Sequence, residues 1–294
     1  MTTGVNLTES IAKRVEELPM LSVVASRLLE MLSDEDVSLR EVAKIVQTDG
    51  PLTARILRIA NSAAFSRGKQ ITSLFRAVMH LGMRMVIGIT IGSCATRLMN
   101  RPLEGYEAEA GELWDHSLRT AIAAREFAFH SRKTIAEDLA FTGGLLHDIG
   151  KSVISDFLVG SGEKLAKMCA DAQAKDYLEA ERSVLGTDHS AVGSAIAQRW
   201  GLPQPLCESI RNHHNPSDSD PELRPLIYAV HLADLMAMLV GGGVSSDDLA
   251  YRVDERYQNY LDIKEAELNK LLVNVQAEFA VARAMVFSDA TVAA

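Results

Sequence analysis

The chain has 294 residues, with 30 Lys and Arg against 39 Asp and Glu, so its formal net charge is −9. Its hydrophobic fraction of 47% and charged fraction of 23% are those of a globular protein and exclude a disordered chain. The acidic balance argues against binding to nucleic acid as the main role, because affinity for a phosphate backbone comes largely from Lys and Arg. We therefore expect no DNA partner.

The cysteines and the apolar segments indicate a cellular location. Cys94, Cys169 and Cys207 are far apart and form no CxxC pattern, which excludes a disulfide scaffold and fits a reducing compartment. No apolar core of a signal peptide occurs in the N-terminal sequence MTTGVNLTESIAKRVEELP. The longest uncharged apolar run, between Arg84 and Arg97, is about half the length of a membrane span. These features predict a cytoplasmic protein without a membrane segment.

The first part of the chain follows a helical period. Ser38, with Glu41 three residues later, forms a capping box at the start of one helix. Asp49 and Pro51 then fit the cap and the first turn of the next helix. These signals predict consecutive short helices. In the helix before them, apolar residues recur on one face at Leu21, Val24, Leu28 and Met31.

Helical patterns continue to the end of the chain and predict an all-α fold. No stretch alternates with period 2, and eight prolines are too few for an all-β protein with many turns. A polar break at 100–111 and the glycine-rich text GGGVSSDD divide the helices into three stretches, at 1–105, 106–240 and 241–294. The later helices are predicted near 72–81, 83–99, 112–130, 134–149, 161–171, 175–185, 189–200, 203–213, 222–239, 246–260 and 264–287.

Seven histidine and aspartate residues occupy positions where these helices call for an apolar residue or come to an end. His147 and Asp148 are adjacent, and side chains on consecutive helical residues diverge by about 100°. Both therefore reach one point only where the helix ends, as Ile149 and Gly150 indicate. A buried, ionised Asp234 costs several kcal/mol unless a cation or a hydrogen-bond donor receives it. The seven residues are His116, His147, Asp148, His189, His213, His214 and Asp234.

Each of these residues alone also has a structural interpretation. His116 fits a core histidine with satisfied hydrogen bonds, and Asp234 fits a residue that faces a loop. His189 fits the first residue of a helix, and His213 with His214 fits a last turn favoured by the helix dipole. Taken together, imidazole and carboxylate groups on several helices suit one or two divalent ions such as Fe, Mn, Zn or Mg. An ion would also offset the cost of burying the aspartates.

The order of these residues resembles a known superfamily. His116, the adjacent pair His147-Asp148 and Asp234 are similar to the signature of the HD superfamily of metal-dependent phosphohydrolases. The text HDIGK also resembles the HD-GYP phosphodiesterases of cyclic dinucleotides. The histidine pair at 213–214, however, runs on into NPSDSDPELRP and no GYP loop follows.

The N-terminal half resembles HDOD domains, the HD-related output domains, and the resemblance covers about residues 10–240. It implies a multi-helix HD-like bundle with an N-terminal helical lobe. It also implies a bacterial signal-transduction module with protein partners, rather than an enzyme. The matching motifs are Leu18-Pro19, Asp49-Gly50-Pro51, Leu57 to Ser62 and Ile71 to Gly82.

HDOD proteins typically lack part of the HD metal set, whereas this chain keeps all of it. The alternative function is therefore metal-dependent hydrolysis of a nucleotide or cyclic dinucleotide, with Asp148 and Lys151 as catalytic residues. Lys151 would neutralise a phosphate, and its other interpretation is a solvated lysine at a helix end. The resemblance assigns one ion to His116, His147, Asp148 and Asp234. It assigns a second ion to Asp148, His189 and His213 or His214.

Overall fold

The computed structural model confirms the all-α fold. Among the residues that it describes there is no strand, and two isolated β-bridges join Leu103 to Ala108 and Ser131 to Leu261. Short 3₁₀ turns lie at Glu104–Tyr106 and Glu255–Asn259. The described residues are 6–33, 37–62, 65, 70–244 and 251–287.

The helices follow one another with short connections. Those of the first half are α1 (Leu7–Glu16), α2 (Val23–Glu30), α3 (Leu39–Val46), α4 (Gly50–Ala60), α5 (Leu74–Leu81), α6 (Met83–Met99) and α7 (Glu112–Phe129). Those of the second half are α8 (Glu137–Leu146), α9 (Lys151–Leu158), α10 (Gly162–Ala170), α11 (Tyr177–Leu185), α12 (His189–Arg199), α13 (Gln204–Asn212), α14 (Arg224–Ala237) and α15 (Glu265–Phe287).

The contacts between helices form two compact units. The first contains the described residues of Met1–Met20 and Ala95–Ile263, and the second those of Leu21–Cys94 and Lys264–Ala294. Helix α1 thus belongs with α7 to α14, and α15 belongs with α2 to α5. The division into three stretches in chain order, with boundaries after 105 and 240, stays a prediction.

Several helix starts form as the sequence indicates. Ser38 and Glu41 form the complete capping box of α3. Asp49 caps α4 by accepting a hydrogen bond from the Leu52 backbone N–H at 2.9 Å. Asp188 caps α12 by accepting one from the Ala191 backbone N–H at 2.7 Å. The last of these caps fixes the position of His189, the first residue of α12.

Helix α1 was not predicted, since the first predicted helix begins at Leu21, and two later stretches also differ from the predicted helices. Helix α9 was not predicted from the sequence. The buried Lys151 at its start interrupts the apolar pattern that would have indicated a helix. In the helix predicted at 246–260, residues 246–250 lie outside the described residues, and the remainder holds only the 3₁₀ turn Glu255–Asn259. Residues 251–260 contain three tyrosines among exposed charged and polar residues, and they form no apolar stripe that would stabilise a helix.

Two glycines permit close approaches that bring the histidine-bearing segments together. A Cβ at Gly144 would lie 2.8 Å from the Thr120 carbonyl oxygen, so α8 packs directly on the α7 backbone. A Cβ at Gly150 would lie 2.6 Å from the Gly193 backbone nitrogen and would overlap the His189 carbonyl oxygen. Side chains at these positions would push the His147-Asp148 turn away from α7 and α12.

Helix α14 forms part of the core of the first unit. The stretch Arg224–Gly241 is long and apolar enough to pass as a candidate membrane span, but most of it is buried inside the protein. Helices α5 and α6 pass the same test only as a pair bent by 106°. The cytoplasmic location stays a prediction.

Candidate metal centre

The seven predicted ligand side chains converge in the interior of the first unit. They reach it from α7, from the ends of α8 and α13, from the start of α12 and from the last turn of α14. Both aspartates are 1% exposed, and the side chain of His214 is 3% exposed. The residues brought together are His116, His147, Asp148, His189, His213, His214 and Asp234.

One side of the cluster is formed by two histidines and two carboxylates. His116 Nε2 lies 3.1 Å from His147 Nε2 and 3.1 Å from Asp234 Oδ1. Asp148 Oδ2 lies 3.5 Å from His116 Nε2 and 3.3 Å from His147 Nε2. We call these four residues the first ligand group.

The other side of the cluster uses the second oxygen of the same aspartate. Asp148 Oδ1 lies 3.4 Å from His189 Nε2 and 3.6 Å from His213 Nε2. His214 Nε2 is 3.0 Å from His189 Nε2, and its Nδ1 is 3.8 Å from Asp234 Oδ2. We call Asp148, His189, His213 and His214 the second ligand group, whose donor atoms all lie within 4.8 Å of one another. Asp148 thus presents one carboxylate oxygen to each ligand group.

Hydrogen bonds at Nδ1 direct the Nε2 atoms of three histidines into the cluster. His147 and His213 follow the last residues of α8 and α13, where helix carbonyls lack partners within the helix. Their Nδ1–H groups donate to the Gly144 carbonyl at 2.8 Å and the Ile210 carbonyl at 2.9 Å. His189 instead donates from Nδ1 to a Glu181 carboxylate oxygen at 2.8 Å. Such bonds fix the tautomer and orientation of a metal-ligating histidine.

The electrostatics of the cluster favour a cation between its carboxylates. Burial raises the pKa of a carboxyl group, yet His147 and Lys151 hold the pKa of Asp148 well below its usual range. Burial lowers the pKa of a histidine, but Asp148 and Asp234 raise the pKa of His147 to about 10. Burial lowers the pKa of His213 to about 3, so its imidazole is neutral at pH 7. An ion bound at the first ligand group would replace the proton on His147.

Several buried polar atoms of the cluster lack a hydrogen-bond partner, as atoms that bind a metal ion would. Asp148 Oδ1, Asp234 Oδ2 and His213 Nε2 have no hydrogen-bond partner among the described residues. Buried polar atoms are nearly always hydrogen-bonded, because an unpaired group pays its full desolvation cost. Imidazole nitrogens and carboxylate oxygens are the ligands of divalent transition ions. The donor set therefore fits one or two such ions.

Lys151 lies inside the cluster rather than in solvent. Its side chain is fully buried, and Nζ lies 2.7 Å from Asp148 Oδ2. The ammonium group also lies 5.6 Å from the ring centre of Tyr106 and 5.9 Å from that of Tyr251. The interpretation as a solvated lysine is therefore wrong, because the first turn of α9 points inward and buries this residue.

Glu181 supports the cluster from behind His189 and was not predicted from the sequence. Its carboxylate accepts hydrogen bonds from Nδ1 and from the backbone N–H of His189, and the Tyr106 hydroxyl donates to it. Burial lowers the pKa of a histidine, but this carboxylate raises the pKa of His189. The sequence does contain an indication of this role, because Glu181 lies on the same face of α11 as Tyr177 and Leu185, both of which are buried.

His231, one helical turn before Asp234, supports the cluster from outside. Its Nδ1–H donates to the His213 backbone carbonyl at 2.8 Å. Its Nε2 accepts the Asp254 backbone N–H at 3.0 Å. Both ring nitrogens are thereby used, and His231 holds the backbone that carries His213.

Replacing Glu181 with glutamine is expected to weaken Zn²⁺ binding about 10–100-fold, the usual cost of losing a carboxylate behind a ligating histidine. Titration calorimetry on the metal-free protein measures the change. The matched control is Glu179→Gln, on the exposed side of the same helix. Equal affinities for the two variants would show that Glu181 does not orient a ligand.

The helical fold and the buried cluster define a protein with an HD-type histidine and aspartate centre. The model of the HDOD domain matches residues 18–216, and the chain belongs to the HDOD family. The match includes every predicted ligand except Asp234, which lies further along in α14.

Comparisons with individual proteins agree with this family. An uncharacterized protein of Treponema pallidum (strain Nichols) is 29% identical over 245 residues, which are 82% of this chain and 46% of that protein. The chain thus spans less than half the length of that relative. A crystal structure of an HDOD domain protein with unknown function from Geobacter sulfurreducens is 25% identical in sequence, with a TM-score of 0.72. The match covers 95% of this chain and 96% of that protein's chain.

A more distant structure shows the fold alone. It comes from Marinobacter aquaeolei VT8 and is provisionally described as a signal transduction protein. It is 17% identical, with a TM-score of 0.70, and the match covers 95% of this chain and 64% of that one.

Proposed function

We propose that this chain is a signal-transduction module whose HD-type centre binds one or two divalent metal ions. The observation that carries the proposal is the convergence of seven buried ligands around the two oxygens of Asp148. Three imidazoles and one carboxylate in the second ligand group suit Zn²⁺ or Fe²⁺ better than Mg²⁺, which prefers oxygen ligands. The first ligand group, with two carboxylates, also suits Mn²⁺.

The closed surroundings of the centre favour regulation over catalysis. Catalytic metal sites keep a position open for water or substrate, whereas structural sites are closed by protein ligands. Here the side chains of the two ligand groups are almost fully buried, and the ring of Tyr251 stacks on His214. The partners implied are signalling proteins, with a nucleotide as a second candidate ligand.

Phosphohydrolase activity on a nucleotide or cyclic dinucleotide is the second candidate function. It is favoured by Lys151, whose ammonium group lies beside the bridging carboxylate of Asp148. A bound divalent ion would lower the pKa of a coordinated water and screen phosphoryl charge. Asp148 would then hold the ligand geometry, and Lys151 would stabilise a phosphoryl oxygen.

The test measures metal content and hydrolysis on the same samples. Protein prepared anaerobically without chelator is expected to hold about one metal ion per chain or more. His147→Ala and Asp234→Ala are expected to lose it, and the control His130→Ala, outside the cluster, is expected to keep it. Wild-type protein free of transition metal would contradict the proposal.

Hydrolysis distinguishes the two candidate functions. The substrates are bis(p-nitrophenyl) phosphate and cyclic dinucleotides, assayed with the metal-loaded protein. We expect no turnover above that of the His147→Ala variant. Turnover that disappears in His147→Ala and Asp234→Ala but persists in His130→Ala would establish the phosphohydrolase.

A further inference from the structure

We infer that residues 251–262 form a removable cover over the metal centre, with Tyr251 as its seal. The inference rests on the proposed metal binding and concerns how access to that centre is regulated. The cover lies after the residues matched by the HDOD model, which end at 216.

Tyr251 packs against the histidines of the second ligand group and against Lys151. Its ring stacks on His214, with 3.9 Å between ring centres and 14° between planes. It meets the edge of His189 at 6.3 Å, and Lys151 Nζ lies 5.9 Å from its ring centre. Tyr251 itself is 7% exposed. One side chain thus separates from solvent both a ligand pair and the lysine.

The far end of the cover is anchored to the connection after α7. Leu261 is buried and pairs with Ser131 in an isolated bridge. The Asp262 backbone N–H donates to the His130 carbonyl at 2.8 Å, and the Arg132 N–H donates to the Tyr260 carbonyl at 2.8 Å. This end remains attached when Tyr251 leaves the centre.

The middle of the cover is held by few contacts. Arg252, Val253 and Glu255 are exposed. Asp254 makes the main link, since its backbone N–H donates to His231 and its carboxylate accepts the Tyr228 hydroxyl at 3.0 Å. Segments with few buried contacts open with free energies far below that of global unfolding. Opening therefore requires mainly the loss of Tyr251 packing and of the bonds at Asp254.

The consequence is a centre with two levels of access. With Tyr251 in place, the ligands and Lys151 are shielded, and a bound ion exchanges only when the cover opens. With Tyr251 displaced, His214 and Lys151 face solvent together, and a phosphate-bearing ligand can reach both. The cover thus regulates how fast a metal ion enters and leaves the centre at which we propose that it binds.

The first test measures release of Zn²⁺ from the loaded protein into excess 4-(2-pyridylazo)resorcinol. Tyr251→Ala is expected to release the ion about tenfold faster than wild type, the change produced by about 1.4 kcal/mol of lost packing. Tyr251→Phe keeps the ring and is expected to release at the wild-type rate. Tyr257→Ala, the matched control at a half-buried tyrosine of the cover away from the ligands, is also expected to do so. Equal rates for Tyr251→Ala and Tyr257→Ala would overturn the inference.

The second test needs no metal and separates this inference from the proposed function. Metal-free protein is treated with diethyl pyrocarbonate, and modification of His214 is followed by peptide mass spectrometry. We expect faster modification in Tyr251→Ala than in Tyr251→Phe or Tyr257→Ala. Failure of wild type to bind metal would remove the proposed function while this result still reports the cover. Equal modification in all variants would reject the cover even where metal binds.

Discussion

Replacing Asp148 with asparagine is expected to abolish tight metal binding at both ligand groups. Asp148 Oδ2 faces His116 and His147, and Oδ1 faces His189 and His213. An amide supplies no negative charge and one oxygen, so neither group keeps its carboxylate bridge. The loss in affinity is expected to exceed the roughly 10–100-fold cost of removing an outer carboxylate.

Calorimetric titration of metal-free protein with Zn²⁺ and with Mn²⁺ measures this effect. The matched control is Asp156→Asn in α9, where the carboxylate pairs with Arg101 away from the cluster. The control is expected to bind as wild type does. Retention of both stoichiometry and affinity by Asp148→Asn would show that this carboxylate does not join two ligand groups.

Replacing Lys151 with methionine is expected to destabilise the metal-free protein by about 3–5 kcal/mol. Removing the ammonium group leaves the buried Asp148 carboxylate with only part of its compensating positive charge, and methionine preserves most of the volume. In the metal-loaded protein the loss is expected to be smaller, because the ion then supplies positive charge to Asp148. Urea unfolding with and without Zn²⁺ measures both values.

Lys167→Met is the control for this experiment, since Lys167 is exposed on α10. Its effect is expected to stay within about 0.5 kcal/mol, as for surface substitutions in general. If Lys151→Met matched this control, the pairing with Asp148 would contribute nothing to stability. If Zn²⁺ did not reduce the loss, the ion and the ammonium group would not share the same carboxylate.

The seven residues that meet in the cluster were predictable from the sequence because each contrasts with its local pattern. His116 interrupts an apolar stripe, and the pair His147-Asp148 stands at a helix end, where both side chains can reach one point. Periodicity along the chain reports such contrasts without reporting which distant helices meet. The assignment of His116 and Asp234 to one group therefore depended on the resemblance to the HD superfamily.

The supporting residues were not predictable for identifiable reasons. Glu181 reads as an ordinary helical glutamate unless its place on a buried stripe is weighed against a partner on another helix. Tyr251 lies in a segment that the pattern assigned to a helix, whereas its described part forms an irregular cover with one 3₁₀ turn. The pattern offered two interpretations of Lys151, and only packing separates them.

The grouping of the helices also depends on contacts that local signals do not report. The caps of α3, α4 and α12 were readable because a cap involves residues three positions apart. The association of α15 with α2 to α5 joins segments far apart in the chain. Amphipathic patterns show that such helices have a face to bury, without naming the helix that receives it.

Anomalous X-ray diffraction at the absorption edge of the bound metal tests the central claim most directly. Crystals of the metal-loaded protein are expected to show a peak about 2.0–2.2 Å from Nε2 of His116 and His147 and from an oxygen of Asp234. A second peak is expected beside His189 and His213, with an Asp148 oxygen facing each ion. Metal-saturated crystals of folded protein with no anomalous peak in either ligand group would contradict the account.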